Sequence, residues 1–433
     1  MADEKNRIRE AMFYHIYPLG FTGAPLRNEG EATAGGRILE VLDWIEHFKE
    51  LGINAIYFGP IFESVSHGYD TTDYYQTDSR LGSKEDFKKV FTALHENGIR
   101  VIVDGVFNHV GRKFFAFLDV QKNLEQSDYK DWFCNLNFSW QSPLGDSFSY
   151  ENWHGAAELV KLNLRNPAVC EHLLGAVGMW MDELGIDGLR LDAADCVDRE
   201  FFKRLHSFTK GKREDFWLMG EIIHGDYRVW ANDEMLDSVT NYECWKGIYS
   251  SHNDKNYFEI AYSLKRQFGQ GGLYENLCLY NFLDNHDVNR IGSLLKQREN
   301  LKNAYTLLYM MPGIPSIYYG SEWGIEGVKG QGMDADLPLR PKLDLEEMCA
   351  QETDLPAHIR ELAKIRKESD AVKYGAYDEV LVRNKQFVFA RRSGEQYKVI
   401  ALNLTDHAET LHFSYQGKEY EVLLEAYTSK IME

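Results

Sequence analysis

The segment FKKVFTALHENGIRVIVD (87–104) contains, in order, a helix pattern, a stop signal, a strand pattern and a carboxylate. Its apolar residues recur at helical spacing from Phe87 to Leu94 and would share one helix face. Gly98 is typical of a helix end, because glycine adopts left-handed backbone angles without strain. The apolar run VIVD (101–104) has the length of a buried strand. The segment therefore predicts a helix followed by a strand that ends in an acid.

The same alternation of helix and strand patterns continues through most of the chain. A helical pattern from Val41 to Phe48 precedes another strand, and Gly52 and Gly185 mark helix ends as Gly98 does. Such alternation is typical of βαβ units and a parallel sheet. The predicted strands are FYHIY (13–17), AIYF (55–58), VIVD (101–104), LRLD (189–192), WLMGE (217–221), SVTN (238–241), LYNFL (279–283) and SIYY (316–319).

Eight units of this kind predict the α/β class and a closed (β/α)8 barrel, the TIM barrel. An open doubly wound sheet is the alternative that the same pattern allows. In a closed barrel the active site lies at the carboxyl ends of the strands. The residues that end or follow each strand are therefore the first candidates for function.

Two regions do not follow the alternation. Residues 112–163, after the third strand, are rich in aromatic side chains, and a segment of that length is usually a wall or lid over a site. From about Val372 the pattern has a period of two, which is typical of antiparallel strands. We therefore predict a barrel from residues 1–111 and 164–370, an insert at 112–163 and a small C-terminal antiparallel β domain at 371–433.

Composition and charge exclude several classes of partner. The 433 residues carry a formal net charge of −19, which repels phosphate backbones and anionic lipids, so we expect neither nucleic acid nor membrane as a partner. The charged N-terminus MADEKNRIRE (1–10) lacks an apolar signal segment and is typical of a cytoplasmic protein. The six cysteines contain no CxxC pair, which favours reduced thiols over a zinc or disulfide framework. A neutral, hydroxyl-rich ligand fits this composition.

Four carboxylates stand at predicted strand ends. Asp104, Asp192 and Glu221 end an apolar strand, and Asp287 closely follows another. Burying carboxylates beside apolar strands is costly unless partners or chemistry compensate. Two carboxyls flanking a glycosidic bond, about 5–5.5 Å apart, carry out retaining glycoside hydrolysis. The alternative is a structural ion-pair network that Arg190 would complete, and spacing alone leaves both interpretations open.

Two histidines lie beside these acids, His109 in FNHVG and His286 in DNHDVNR. At a shared barrel rim they are expected to bind ligand hydroxyls. A zinc or iron site formed with the acids is an alternative, since imidazole and carboxylate suit those metals. No HExxH or comparable ligand spacing favours that alternative.

Four segments fall in order on the third, fourth, fifth and seventh predicted strands: DGVFNHVG (104–111), GLRLDAAD (188–195), GEIIHGD (220–226) and FLDNHD (282–287). They resemble the four signature motifs of the α-amylase family of glycoside hydrolases, and HGYDTTDYY (67–75) and GIPSIYYGSE (313–322) are further matches. VKLN (160–163) resembles a fifth motif in the form found in neopullulanases and cyclomaltodextrinases, so the chain most resembles the group of cyclomaltodextrinases, neopullulanases and maltodextrin glucosidases. The resemblance covers nearly the whole chain and implies a (β/α)8 barrel that cleaves α-glucans.

Carried over position by position, the resemblance implies a catalytic trio. Asp192 would be the nucleophile, Glu221 the general acid and base, and Asp287 the third carboxylate, which stabilises the distorted sugar. Arg190, two residues before the nucleophile, would hold it ionised and oriented. Asp104 would be a structural anchor at the rim.

The resemblance also implies a set of substrate contacts. His109 and His286 would bind glucose hydroxyls next to the scissile bond, and Tyr69 would stack beneath that ring. Asp336 and Arg340 resemble a pair that contacts the next sugar outward. The implied partner is a small oligosaccharide, and the oligomeric state is left open.

Two departures from the family pattern concern metal binding and assembly. Many members bind calcium through the asparagine found here at 108 and a histidine where this chain has Cys196, and a thiol is a poor calcium ligand. We therefore expect no metal and no other cofactor. Neopullulanase-like members also carry an extra N-terminal β domain that forms dimers. Because the first strand lies close to the start of this sequence, we do not expect that mode of dimerisation.

The resulting hypothesis is a cytoplasmic retaining hydrolase that cleaves α-1,4 bonds of maltodextrins or cyclodextrins through a covalent glucosyl-enzyme intermediate. A glucanotransferase or a trehalose-synthase-type isomerase is the alternative on the same scaffold, since both share the intermediate and differ in what resolves it. An inactive carbohydrate-binding relative and a metal-dependent hydrolase are further alternatives. Exo or endo action, ring or linear preference and tolerance of α-1,6 bonds are left undecided.

Overall fold

Eight short parallel strands surround a central axis in the computed structural model, which describes residues 8–29, 36–332 and 334–433. All of the residues in the first two strands are buried, as expected for strands covered on both faces. The strands are β1 (Phe13–Ile16), β2 (Ala55–Phe58), β3 (Arg100–Gly105), β4 (Gly188–Leu191), β5 (Trp217–Gly220), β6 (Ser238–Val239), β7 (Tyr280–Phe282) and β8 (Ile314–Tyr318).

These strands close into a barrel. Their hydrogen-bonded order is β6-β5-β4-β3-β2-β1-β8-β7, and every pairing is parallel. A parallel bridge between Thr240, just after β6, and Tyr280 in β7 joins the two ends of this order. The predicted TIM barrel is confirmed and the open doubly wound sheet is excluded. Each predicted strand is present, with bounds within two residues of the prediction.

The interior of the barrel is filled by side chains. Phe13, Tyr57, Trp217 and Tyr280 belong to an apolar cluster inside the strands, and all four are buried. The ring of Phe13 packs against Trp217 at a centroid distance of 5.1 Å and against Tyr280 at 5.4 Å. Such aromatic pairs stabilise beyond the area that they bury. A filled interior leaves the rim as the place where a ligand can bind.

Helices pack around the outside of the barrel. Helix Lys84–Glu96 begins at a capping box formed by Ser83 and Asp86, and the apolar face predicted for it is fully buried. It ends before Gly98, whose φ of +73° favours glycine. The α-helices are Pro18–Phe21, Ile45–Glu50, Lys84–Glu96, Phe115–Asn123, Pro167–Met179, Arg199–Lys212, Tyr242–Asn253, Phe258–Phe268, Ile291–Leu294, Leu301–Met310, Leu345–Cys349, Leu355–Glu368 and Asp370–Tyr374.

The segment after β3 forms a small antiparallel sheet next to the carboxyl end of that strand. Strand His109–Gly111 pairs with Ala156–Lys161, which in turn pairs with Asn152–Trp153. Arg112 and Asp146 form an ion pair at 2.5 Å within the same segment. Because this small sheet starts directly beyond β3, the insert stands at the rim where the predicted site lies.

A small antiparallel β domain follows the barrel, as predicted. Four of its strands form one sheet in the order β9-β10-β11-β14, and β12 and β13 form a hairpin. Apolar side chains such as Val388 and Leu411 belong to a shared core between them. The strands are β9 (Ala376–Val382), β10 (Gln386–Ser393), β11 (Gln396–Asn403), β12 (Glu409–Tyr415), β13 (Lys418–Leu424) and β14 (Ser429–Met432).

No helix among the described residues has both the length and the apolar character needed to cross a bilayer. The charged N-terminal segment on which the localisation prediction rests lies, up to Arg7, outside the described residues.

His252, at the end of helix Tyr242–Asn253, makes folding stability depend on pH. Its Nδ1–H donates to the carbonyl of Ile248 at 2.7 Å, and burial lowers its pKa to about 4. Between pH 6.5 and about 4 the unfolded chain binds a proton at this imidazole that the folded chain does not. The free energy of unfolding should therefore decrease as the pH is lowered through this window, by up to about 1.4 kcal/mol per pH unit from this group.

Urea unfolding at several pH values between 7 and 4.5 tests this expectation. The variant His252→Gln keeps an amide that can donate to Ile248 but binds no proton, so its stability should fall less steeply over the same pH range. Parallel slopes for the two proteins would contradict the assignment.

Candidate active site

The barrel topology brings the predicted catalytic residues from four strands to one rim. Asp104 lies in β3 and Arg190 in β4, and the two are register partners. Asp192 directly follows β4, Glu221 directly follows β5, and Asp287 lies in the loop after β7. Since parallel strands all run in one direction, these residues meet at the carboxyl face of the barrel.

One guanidinium holds three of the four carboxylates. Nη1 of Arg190 lies 2.9 Å from both Asp104 Oδ1 and Asp192 Oδ1, and its Nη2 lies 2.9 Å from Glu221 Oε1. Arg190 is only 3% exposed, so these charge-assisted contacts are shielded from water. Asp192 and Glu221 therefore lie at the same place on the rim. The sequence left two interpretations open, a catalytic pair of acids and a structural ion-pair network. In the structure the same residues form both.

A left-handed turn orients both acids. Ala193 has φ 43° and ψ 45°, a conformation that is costly for a residue with a β-carbon and that is found at functional sites. Its amide N–H donates to Glu221 Oε2 at 3.0 Å, and the amide of Glu221 donates to the carbonyl of Leu191 at 2.9 Å. The backbone around Asp192 thus fixes the side chain of Glu221 directly.

Tyr242 and Asn285 belong to the site but were not predicted. The hydroxyl of Tyr242 donates to Glu221 Oε1 at 3.4 Å, and the side-chain amide of Asn285 donates to that hydroxyl at 3.0 Å. A signal existed for each: Tyr242 directly follows the sixth predicted strand, and Asn285 precedes His286 in FLDNHD.

The third acid, Asp287, has two basic partners. Its Oδ2 lies 3.0 Å from His286 Nε2, and its Oδ1 accepts a hydrogen bond from Arg340 Nη2 at 3.0 Å. Burial alone would raise the pKa of Asp287, but the charges of His286, Arg340 and Arg190 outweigh burial and lower this pKa well below its usual range. Asp287 therefore stays ionised.

Tyr69 connects the third acid to the other three. Its hydroxyl donates to Asp104 Oδ2 at 3.0 Å and is also hydrogen-bonded to His286 Nε2. The rings of Tyr69 and His286 lie nearly parallel, with centroids 5.3 Å apart. Tyr57 donates a second hydroxyl hydrogen bond to Asp104 Oδ2, at 2.7 Å. Asp104 thus accepts contacts from two tyrosines and one arginine, which fits a rigid anchor.

Asp336 and Arg340, which the sequence places far from the other site residues, reach the same rim. Nη2 of Arg340 bridges Asp336 Oδ2 and Asp287 Oδ1, at 3.0 Å from each. Its Nε donates to the carbonyl of His286 at 3.0 Å, and its guanidinium lies 4.5 Å from the ring centroid of Tyr17. The structure therefore brings together all nine predicted site residues.

His109 has a free ring nitrogen within the described part of the chain. Its Nδ1 is 3.1 Å from Asn108 Nδ2, while its buried Nε2 has no hydrogen-bond partner and lies 3.9 Å from Asp192 Oδ2. Burial lowers the pKa of His109 to about 3, so the imidazole is neutral. Since Asn108 donates to Nδ1, Nε2 carries the proton and can donate to a ligand oxygen.

Arg190 alone would lower the pKa of Asp192, but the other groups around this carboxyl outweigh it. Burial raises this pKa, and the neighbouring charges of Glu221 and Asp104 add to the rise, whereas Arg190 opposes it. The net direction is upward. The arginine therefore orients Asp192 but does not lower its pKa below the ordinary range, and the ionised fraction of Asp192 increases as the pH rises.

The residues at the position of the family's calcium site do not suit that ion. The side-chain oxygen of Asn108 is buried and lacks a partner among the described residues, which is one oxygen ligand. Cys196 Sγ lies 3.6 Å from His154 Nε2, and sulfur and imidazole are poor ligands for calcium. Among the described residues no cluster of three or more His, Cys, Asp or Glu side chains has a geometry that holds a metal.

A (β/α)8 barrel with a pair of carboxyls bound to one arginine at its rim, and a third acid beside them, is the arrangement expected of a glycoside hydrolase. The family described as alpha amylase, catalytic domain, matches residues 15–361. The chain belongs to the α-amylase family.

Relatives of this chain include two cyclomaltodextrinases. The enzyme from a Bacillus species is 31% identical over 93% of this chain and 74% of its own length. The enzyme from Thermoanaerobacter pseudethanolicus is 32% identical over 95% of this chain and 73% of its own length.

Two solved structures match nearly the full length of both chains. A cyclic α-maltosyl-(1→6)-maltose hydrolase from Arthrobacter globiformis, in complex with cyclic α-maltosyl-(1→6)-maltose, has a TM-score of 0.86 and 26% identity over 98% of each chain. A debranching enzyme from Nostoc punctiforme has a TM-score of 0.83 and 28% identity, also over 98% of each chain.

Proposed function

We propose that this protein is a retaining hydrolase of α-1,4-glucosidic bonds in short maltodextrins or cyclodextrins, acting through a covalent glucosyl-enzyme intermediate. The observation that carries the proposal is one guanidinium, that of Arg190, bound to both Asp192 and Glu221 at the rim of the barrel. The cyclomaltodextrinase relatives support the substrate class. The proposed partner is a small oligosaccharide, and the proposed compartment is the cytoplasm.

In the first step Asp192 attacks the anomeric carbon while Glu221 protonates the departing glycosidic oxygen. Before the step this pair must carry one proton and one negative charge. Arg190, which contacts both carboxyls, stabilises that single charge wherever it resides. In the second step Glu221 takes a proton from water, the resulting oxygen attacks the same carbon, and Asp192 leaves as a carboxylate.

The remaining site residues position the sugar in this proposal. Asp287, held ionised by its two basic partners, binds ring hydroxyls and stabilises positive charge at the anomeric centre. His109 donates its unpartnered Nε2–H to a hydroxyl beside the attacked carbon. Asp336 and Arg340 contact the next sugar outward. Tyr69 lies beneath the ring that is attacked, where its flat face can stack.

The insert, assigned to residues 112–163, forms one wall of the pocket in this proposal. Its strand Ala156–Lys161 pairs with His109–Gly111 on one side and with Asn152–Trp153 on the other. The ring of Trp153 lies 6.0 Å from that of His109, so the insert reaches a residue that contacts the sugar. The shape of this wall would decide which substrates enter.

Hydrolysis of α-1,6 bonds is a second candidate, favoured by one observation. The two structures described above, a cyclic α-maltosyl-(1→6)-maltose hydrolase and a debranching enzyme, have TM-scores of 0.86 and 0.83 with this chain. The same trio would carry out this reaction. Only the contacts with the leaving sugar would differ.

A product profile of the purified protein tests these proposals. Incubation with maltotriose should yield net glucose and maltose, and β-cyclodextrin should be opened to linear products. The first product detected by NMR should have the α configuration, because two inversions restore it. Asp192→Asn protein, treated identically, controls for contaminating activity.

The alternatives give different products. Longer chains as the main products would indicate a glucanotransferase, and trehalose would indicate an isomerase, instead of a hydrolase. Panose distinguishes the linkages: cleavage of its α-1,4 bond yields isomaltose and glucose, whereas cleavage of its α-1,6 bond yields maltose and glucose. A β-configured first product would contradict the retaining mechanism, and an absence of turnover on all substrates would contradict the proposed function.

A further inference from the structure

A cavity of about 220 Å³ lies at the opposite end of the barrel from the catalytic rim. Cys278 and Gly313, which precede β7 and β8, line one side of it. Tyr377 in β9 and Arg391 in β10 line the other. The cavity is therefore bounded by the amino-terminal face of the barrel and by the C-terminal β domain.

Two arginines near this cavity are buried and form no ion pair with a described residue. Arg391 donates to the carbonyls of Met310, at 2.9 Å, and Gly375, at 2.8 Å. Arg366 donates to the carbonyls of Tyr309, at 3.0 Å, Gly313, at 2.6 Å, and Arg9, at 3.1 Å. Both side chains are about 1% exposed, and no carboxylate is among the charges that shift their pKa values.

The carbonyl partners do not neutralise these two charges. Two of the acceptors, Tyr309 and Met310, are at the carboxyl end of helix Leu301–Met310, which carries about half a negative charge. Burial lowers the pKa of Arg366 to about 10 and that of Arg391 to about 9, with repulsion between the two adding to the second shift. Both guanidiniums remain charged at neutral pH, and a buried charge without a partner is costly.

Two buried hydrogen-bond donors beside the cavity also lack an acceptor among the described residues. The Nε of Arg391 and the hydroxyl of Tyr377 are buried and have no hydrogen-bond partner among the described residues. Tyr377 and Arg391 are directly opposite each other on adjacent antiparallel strands, so their side chains leave the same face of the sheet. Both line the cavity. Buried donors without acceptors are rare in folded proteins, and each calls for an acceptor such as a water, a ligand or an ion.

The other lining groups add positive charge. Arg9 and Lys373 line the cavity, and Lys373 is paired with Asp370 at 3.0 Å. Glu275 is the carboxylate in the lining, and it is exposed and accepts a backbone hydrogen bond from Gly271. The cavity is therefore net positive in a chain whose overall charge is −19.

Cys278 lines the cavity, but its thiol does not make the cavity a reactive site. Burial raises the pKa of its thiol to about 11, even though Arg9, Arg366 and Arg391 act in the opposite direction. The thiol is protonated at neutral pH and is neither a nucleophile nor a metal ligand.

We propose that this cavity binds a small oxyanion, a phosphate group either free or as a phosphate monoester, on Arg391 and Tyr377. A guanidinium and a hydroxyl offer the several directed donors that a tetrahedral oxyanion accepts, whereas a halide would use one. The volume exceeds that of phosphate alone and leaves room for part of an ester. Because both the barrel and the β domain line the cavity, the bound anion would stabilise their contact.

Isothermal titration calorimetry on the full-length protein, at constant ionic strength, tests the site. The titrants are inorganic phosphate, glucose 6-phosphate, glucose and chloride. Saturable one-site binding is expected for a phosphate-bearing titrant and for neither glucose nor chloride. Binding should also raise the unfolding midpoint in a saturable manner, as expected for a ligand of the folded state. Tighter binding of the ester would identify a phosphorylated metabolite as the ligand, and equal or tighter binding of phosphate would identify the free ion.

Matched variants place the binding at this cavity. Tyr377→Phe removes one hydroxyl and should weaken binding about three- to tenfold, the effect of about 1 kcal/mol. Arg391→Met should abolish binding. Lys373→Met provides a third, partly buried position if Arg391→Met folds poorly. Hydrolysis of maltotriose by Tyr377→Phe should equal that of the unaltered protein, because the rim is at the other end of the barrel. An absence of saturable binding, or equal affinity in the unaltered protein, Tyr377→Phe and Lys373→Met, would overturn the proposal.

Discussion

Asp192→Asn is expected to lower kcat on maltotriose by about 10⁴- to 10⁶-fold, the range seen when a catalytic nucleophile is removed. The amide keeps the shape of the side chain but does not form the glycosyl ester. Arg190 would still contact Asp104 and Glu221, so the variant retains most of the charge balance around the buried guanidinium. Product release followed by chromatography, with circular dichroism as a check on folding, measures the effect.

Asp195→Asn is the matched control for this substitution. Asp195 is also an acid just beyond β4, but it is exposed and forms no ion pair with Arg190 in the described structure. Its loss should change kcat by less than about tenfold, because Asp195 is not bound to the guanidinium that holds the two catalytic carboxyls. If Asp195→Asn were as damaging as Asp192→Asn, the assignment of the nucleophile would be wrong.

Glu221→Gln is expected to separate the two steps of the reaction. On maltotriose, whose leaving oxygen needs a proton, kcat should fall about 10²- to 10⁴-fold. An aryl α-maltoside with an acidic phenol needs little protonation, so its first step should remain fast. Because water is no longer deprotonated, the glycosyl enzyme should accumulate and release phenol in a burst. Stopped-flow absorbance measures the burst and the slow phase that follows.

Added azide provides an independent test of the acid and base role. This anion needs no base to attack, so it should accelerate the slow phase of Glu221→Gln and yield an α-glycosyl azide. Tyr242→Phe serves as the control, since it removes only the hydroxyl that contacts Glu221 at 3.4 Å. It should affect maltotriose and the aryl substrate equally. Equal losses on both substrates in Glu221→Gln, without azide rescue, would contradict its role.

The barrel could be predicted from sequence because its signals are local. Each strand is a short apolar run, and each glycine stop, such as Gly98 with its positive φ, is read from one residue and its neighbours. The motifs placed Asp104, Asp192 and Glu221 at strand ends for the same reason. A parallel barrel brings the carboxyl ends of all its strands to one face. Eight predicted strand–helix units were therefore enough to place these acids at one rim.

Other features depend on contacts between residues far apart in sequence. The upward direction of the pKa of Asp192 arises because burial and two further acids outweigh Arg190, and burial is a property of the assembled rim. Tyr242 contacts Glu221 only because β6 and β5 are neighbours in the barrel. At the other end of the barrel the buried charge is positive. Arg391 lies there because the C-terminal sheet packs against the barrel.

The amino-acid sequence by itself determined the order of strands and helices, the acids that end the strands and the family to which the chain belongs, because these are encoded in runs of neighbouring residues. Only the tertiary structure decided which acids surround Arg190, which buried charges lack a carboxylate partner among the described residues and where Arg340 meets Asp287. The physical reason is that Coulomb interactions and desolvation depend on distance and burial in space, which short stretches of sequence do not specify.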